Sequence, residues 1–186
     1  GLGLVKKFDA SYDWSGHHLS KEVAKGQKNA IDYSRHINRT IRRYGLENIL
    51  VNFVSNHDEN SWNGTIKESY GDAGHTFMAM NYTIPGMPLI YSGQEYDLSK
   101  RLHFFEKDSF PKKAGKTMEL LQQLGALKNN HKALASGLSG GSYKRILSSK
   151  NDQIFAFERE NEGDTLLFIA NLSKDYAQFS LPYDGY

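Results

Sequence analysis

Apolar residues follow two rhythms along this chain, and the change falls near residue 136. Before it, short apolar runs alternate with longer stretches at helical spacing. Residues 8–12 carry an aromatic strand pattern, and the polar stretch 13–20 suits a loop. Ala30, Ile31, Ser34, Ile37, Ile41 and Tyr44 then form a face at helical spacing. Asn29 and Asp32 supply a capping box for its first turn, and Gly45 stands where a left-handed C-cap belongs. Residues 49–54 form a near-continuous apolar run, the pattern of a strand buried on both faces. A helix is expected over 72–82. Pro85-Gly86 then breaks the chain ahead of a short buried strand at 87–91. A third helix over 113–129 carries Met118, Leu121, Leu124 and Leu127 about one turn apart. Strand, loop and helix in this order spell parallel β/α units.

Beyond residue 136 the spacing becomes that of an antiparallel sheet. Ser139-Gly140-Gly141-Ser142 reads as a flexible joint, and strands are expected over 143–147, 154–159, 165–171 and 176–181. Asn151-Asp152 and Asn161-Glu162-Gly163-Asp164 provide turns between them. The sequence therefore divides into residues 1–136 and 137–186.

Composition narrows the function classes. At 186 residues and 39% hydrophobic, the chain can bury a real core. Its 23 basic and 21 acidic residues are interspersed and give a net charge of +2, so no patch for a polyanion stands out and nucleic acid is not an expected partner. The chain has no cysteine, hence no disulfide and no thiolate metal site. His17, His18, His36, His75, His103 and His131 lack metal-ligand spacing, and the His17-His18 pair reads as a loop feature. No apolar run reaches the roughly 18 residues of a membrane span, so no membrane partner is expected. Gly1 is an unusual start, and the text reads as cut from something longer.

The sharpest local feature is Asn56-His57-Asp58, placed directly after the buried run 49–54. In a parallel β/α barrel, catalytic groups collect at the C-terminal ends of strands. Taken alone, the triplet fits a plain turn better than a site, because Asn and Asp side chains hydrogen-bond their own backbone. Its flanks add a resemblance. Phe53-Val54-Ser55-Asn56-His57-Asp58, continued by Glu59-Asn60-Ser61-Trp62-Asn63-Gly64-Thr65, resembles the seventh-strand motif of the α-amylase family of glycoside hydrolases. The segment from Gly86 through Met87-Pro88-Leu89-Ile90-Tyr91 to Ser92-Gly93-Gln94-Glu95 is similar to that family's eighth strand and following loop. Leu102-His103-Phe104-Phe105-Glu106-Lys107-Asp108 resembles the stretch after it, and Phe8-Asp9-Ala10-Ser11-Tyr12-Asp13-Trp14 resembles the sixth strand.

The fold this resemblance implies is α/β: a partial TIM (β/α)8 barrel, about strands 6 to 8 with their helices, over residues 1–136. The start of an all-β, antiparallel sandwich domain would follow over 137–186. The implied function is that of the C-terminal portion of a retaining glycosidase acting on α-glucans such as starch-type oligosaccharides. Asp58 matches the third catalytic carboxylate, which stabilises the oxocarbenium-like transition state. His57 matches its hydroxyl-binding partner, while Asn56 and Trp62 join the substrate-binding set, Asn56 chiefly by shaping the turn and Trp62 by offering a flat face to a sugar ring. Glu95 ends the eighth-strand loop and has a place at the active-site mouth open to it, but its family counterpart is not one of the three catalytic carboxylates, so a structural hydrogen-bonding role is the expectation. A retaining glycosidase also needs a nucleophile and a general acid about 5 Å apart. None of Arg35, Arg39, Arg42, Arg43, Arg101, Arg145 and Arg159 is followed two residues on by Asp, the family's nucleophile pattern, so both carboxyls are expected upstream and the chain alone is expected inactive. The resemblance implies no cofactor in this segment, admits calcium in the intact enzyme, and favours an extracytoplasmic location. Open barrel edges imply self-association. The competing expectation is an ancillary, carbohydrate-binding subunit that keeps the fold without catalysis.

Overall fold

The computed structural model describes residues 7–182 and holds two three-stranded sheets joined by helices. The first is parallel, in the order β1 (Ala10–Tyr12), β2 (Ile49–Asn52), β3 (Met87–Pro88). Ala10 pairs with Ile49 and Tyr12 with Val51, and Val51 in turn pairs with Met87. Between β1 and β2 lie α1 (Trp14–Ala24) and α2 (Ala30–Tyr44). Between β2 and β3 lie α3 (Ile66–Tyr70) and α4 (Gly74–Thr83).

Helix α1 occupies the stretch expected to be a loop. Its inward face is polar, which hides it from a hydrophobic count: His17, Ser20 and Val23 are buried at three-residue spacing. Asp13 starts it by accepting from Gly16 N at 2.9 Å, while its other oxygen accepts from His36 Nε2 at 2.8 Å. The His17-His18 pair therefore belongs to a helix. Helix α2 begins at the expected capping box, with Asn29 Oδ1 accepting from Ile31 N and Asp32 N, and it ends at Gly45 with φ +76°. Its buried face is Ala30, Tyr33, His36 and Ile37, rotated from the expected one because Tyr33 packs edge-on against Phe155, with ring centroids 5.5 Å apart.

Strand β2 is buried at Leu50 and Asn52 but only half-buried at Ile49 and Val51, so the double-sided burial expected of it is incomplete. The expected strand at 87–91 shrinks to two residues, and Met87 and Ile90 are 42% and 47% exposed. Pro88 has no N–H to donate, and among the described residues no strand pairs beyond β3 to cover that side. The approach to β3 is close: a Cβ on Gly86, at φ +118°, would lie 2.4 Å from the Leu50 carbonyl, so only glycine fits.

Helix α5 (Lys116–Asn130) follows and buries Thr117, Leu121 and Leu124. The antiparallel sheet then runs β4 (Lys144–Ile146), β5 (Ile154–Asn161), β6 (Asp164–Asn171). The β5–β6 hairpin closes through Glu162 and Gly163, both at positive φ, the two-residue turn whose twist matches that of its strands. Residues 176–181 form no strand. Their link to the sheet is a pair of hydrogen bonds between Ser149 and Ser180, with Ala177 and Leu181 resting on the small cluster of Ile146, Ile154 and Ala156. Residues 183–186, at the end of the expected all-β segment, lie outside the described residues.

The joint at 139–142 is not loose. Arg159, 1% exposed, donates from β5 to the carbonyls of Thr83 (2.9 Å), Ser142 (2.7 Å) and Gly141 (3.1 Å). Lys128 Nζ reaches the carbonyl of Leu134 at 2.6 Å beside it. Phe155 and Phe157 of β5 lie in the same hydrophobic cluster as Tyr33, Phe77 and Met80 of the helices, so the antiparallel sheet packs into the core that the helices of the first part build.

Candidate active-site segment

The segment that leaves β2 is folded by its own polar side chains. Asn56, 1% exposed, accepts through Oδ1 from Glu59 N at 2.8 Å and so bends the chain back on itself. The turn then widens: Gly64 N donates to the Glu59 carbonyl at 2.9 Å, a five-residue step that makes Glu59–Asn63 a π-type turn. Asn56 Nδ2 is buried and meets no acceptor among the described residues.

Glu59 is the anchor, and sequence reasoning missed it. It is 5% exposed and accepts from Lys21 Nζ at 2.8 Å and from Asn63 Nδ2 at 2.9 Å. His17 Nε2 lies 2.9 Å from the same carboxylate but off the line of a hydrogen bond. Burial opposes the charge on Glu59, yet the hydrogen bond from Lys21 and the contact with His17 overcome it and hold the pKa down at about 2. Burial lowers the pKa of His17 against the raising pull of Glu59, so the ring is neutral at neutral pH and Lys21 carries the opposing charge. The His17 ring also lies flat on Phe53, centroids 4.5 Å apart. One signal was present in the sequence: His17 and Lys21 are four residues apart, on one helix face.

With Asn56 and Glu59 turned inward, the residues between them turn outward. His57 and Asp58 have side chains 55% and 42% exposed, with Nε2 and Oδ2 3.5 Å apart. Trp62, 57% exposed, stands on the same segment. The structure thus brings His57, Asp58 and Trp62 to one surface at the C-terminal end of β2 and places Asn56 beneath it. Glu95 lies on the loop after β3, with one carboxylate oxygen buried and no partner among the described residues. Among the described residues, no three His, Asp or Glu side chains come together to hold a metal ion. No helix among them is long and apolar enough to cross a membrane.

No protein-family model and no curated protein matches the chain. Solved structures do. The chain is similar to a maltogenic α-amylase from Thermotoga neapolitana, with a TM-score of 0.79 and 19% identity over 92% of this chain and 40% of that one. The fold is that of α-amylase-type enzymes. An α-amylase from Lactobacillus plantarum matches at a TM-score of 0.73 and 19% identity over 89% of this chain and 38% of that one. The cyclic α-maltosyl-(1→6)-maltose hydrolase from Arthrobacter globiformis matches at 0.70 and 14% identity over 88% and 37%, and has also been solved in complex with maltose. The chain therefore spans about 40% of the length of these structures. In this amylase-type fold, the parallel sheet and the antiparallel sheet have counterparts within single larger enzymes.

Proposed function

We propose that this chain is the C-terminal part of an α-glucan glycosidase of the α-amylase type, with β1 to β3 as strands 6 to 8 of the catalytic barrel. Residues 1–136 make up the barrel portion in this reading, and residues 137–186 begin the β-sandwich. The observation that carries it is the outward pair His57 and Asp58 at the C-terminal end of the central parallel strand, on a segment held from behind by Glu59. That is where a β/α barrel collects its chemistry. Asp58 faces the sugar at the cleavage point and favours the positive charge that develops on its ring. His57 hydrogen-bonds the ring hydroxyls, interactions that strengthen in the transition state and so lower the barrier selectively. Trp62 stacks on a sugar face, and Asn56 shapes the turn beneath them. The nucleophile and the general acid come from the upstream part of the barrel in a retaining mechanism, so the chain alone does not catalyse.

Tyr12 and Met87 on the outer strands, and Phe8 and Ile90 just beside them in sequence, are exposed, which supports self-association of the isolated chain through those edges. The test is release of reducing sugar from soluble starch. The 186-residue chain should release none. The same chain extended by its upstream sequence should be active, and Asp58→Asn should lower its kcat by at least about a hundredfold. Robust release by the chain alone would refute the dependence on upstream carboxyls. An unaltered kcat in Asp58→Asn would remove Asp58 from the mechanism, and an inactive extended protein that still binds glucan would support the ancillary-subunit reading.

A further inference from the structure

The surroundings of His17 fix which of its ring nitrogens carries the hydrogen. Ser20 Oγ donates to the His17 carbonyl at 2.7 Å, which uses its only hydrogen. The 2.7 Å contact between Ser20 Oγ and Tyr70 Oη is then donated by Tyr70, whose hydroxyl keeps its proton because burial pushes its pKa up. Tyr70 Oη and the Phe53 carbonyl both lie 3.2 Å from His17 Nδ1, and both face it as acceptors. The neutral ring therefore carries its hydrogen on Nδ1. That leaves a lone pair on Nε2, buried and without a hydrogen-bond partner among the described residues, 2.9 Å from Glu59 Oε2.

His17 also grips both ends of one segment. Phe53 enters it, bonded through its carbonyl and stacked on the imidazole, and Glu59 closes it, with His57 and Asp58 between them. A proton taken up at Nε2 gains Glu59 as a partner. It also places a cation in a side chain of 0% exposure beside Lys21, which already holds that carboxylate at 2.8 Å. Burial outweighs the pull of Glu59, so the pKa of His17 lies below the ordinary 6.5. A charged ring is thus favoured where water reaches it, and water reaches it when the segment lifts from α1. Beyond Glu59, Lys21 and Tyr70, the ionisable group against the ring among the described residues is His18, exposed on α1 with its ring centroid 5.7 Å away. Trp14 and Phe53 present uncharged ring faces.

We infer that His17 is a proton-sensitive positioning residue for His57 and Asp58: the neutral ring holds both ends of their segment on α1, and a proton taken up from solvent at Nε2 releases it. The release is a property of the fold alone. Its consequence, a loss of activity on mild acidification, rests on the reading of His57 and Asp58 as part of the cleavage site.

Two measurements test this. Histidine-selective nitrogen NMR of the 186-residue chain at neutral pH should show the His17 hydrogen on Nδ1 and a bare Nε2. As that ring titrates, hydrogen-exchange protection of the Asn60 and Gly64 amides, which close the turn on the carbonyls of Asn56 and Glu59, should fall about tenfold with the same midpoint. His17→Asn keeps a donor in the place of Nδ1 and has nothing to titrate, so its protection should not change over that range. In the chain extended by its upstream sequence, kcat should drop about tenfold more from pH 7 to pH 5 in the wild type than in His17→Asn. A hydrogen found on Nε2, or protection that stays constant while His17 titrates, overturns the release, and both are read on the wild-type chain whether or not the variant folds. If protection falls but kcat drops equally in the two extended proteins, the positioning role is overturned and the proposed function stands. An extended protein inactive at every pH removes the proposed function, and the release then stands or falls on the exchange data.

Discussion

The segment behind Asp58 and the joint around Arg159 each bury a charged side chain, Glu59 at 5% and Arg159 at 1% exposure, yet the two charges do different work. Arg159 reaches from β5 to backbone carbonyls of Thr83 at the end of α4, of Ala135 ahead of the joint and of Gly141 and Ser142 within it, so its charge closes a seam between parts of the fold. Glu59 takes a cation from α1 and an amide from its own turn, and its neighbours in sequence, Asp58 and His57, are left facing solvent. Where a buried charge satisfies backbone from several elements, the surface around it is finished. Where it fixes one turn from behind, the front of that turn is free to carry chemistry.

The strongest way to break the comparison is at the seam. Arg159→Ala would leave the carbonyls of Thr83, Gly141 and Ser142 without their donor in a buried cavity, and should cost about 3–5 kcal/mol in urea unfolding. Burial pushes the Arg159 guanidinium down only to about 10, so it stays charged across the neutral range. A loss below about 1 kcal/mol would mean that the seam is held by its apolar contacts, Phe155 and Phe157 against Tyr33 and Phe77, and that the clamp is incidental.

Next comes the anchor. Glu59→Gln keeps the shape and an acceptor oxygen but leaves Lys21 without its countercharge, and should cost about 1–3 kcal/mol. The effect is linked to pH. Glu59 has a folded value of about 2 against an ordinary 4.5, so the unfolded chain takes up its proton first on acidification. The stabilisation is complete above about pH 4.5 and is lost as pH falls toward 2. His17, lowered by burial from 6.5, acts in the same direction at an earlier stage, with stability beginning to fall below about pH 6.5. Stability measured from pH 7 to pH 2 should decline in both proteins, but below pH 4.5 Glu59→Gln should fall less steeply, because only the other paired carboxylates such as Glu68 and Asp108 still take up protons on unfolding. Parallel curves would remove Glu59 as the anchor.

These two sites also mark how far the sequence could be read. Signals confined to a few neighbouring residues were legible: the capping box of Asn29 and Asp32, the stop at Gly45, the turn at Glu162 and Gly163, and the polar triplet after β2. Illegible features depend on partners far along the chain. Helix α1 was hidden because His17 and Ser20 are buried by Phe53, Glu59 and Tyr70, which lie 36 or more residues on. The joint 139–142 looked flexible because nothing local announces that a guanidinium some 18 residues away will hold it. The exposure of Met87 and Ile90 was missed for a related reason: an apolar run is buried only where a neighbouring element covers it.

The smallest expected effect is the most telling for the front of the turn. Among the described residues Asp58 pairs only loosely, with His57 at 3.5 Å, and its side chain is 42% exposed, so its charge adds little to the stability of the fold. Asp58→Asn should therefore change the unfolding free energy by less than about 0.5 kcal/mol, while weakening glucan binding. That dissociation separates a residue kept for chemistry from one kept for folding. Glu59, one position on, should show the opposite pattern, with stability lost and sugar contacts disturbed only through the movement of the turn. If Asp58→Asn destabilises the chain as much as Glu59→Gln does, the two adjacent carboxylates share one structural role, and the outward face of the turn loses its claim to be a site.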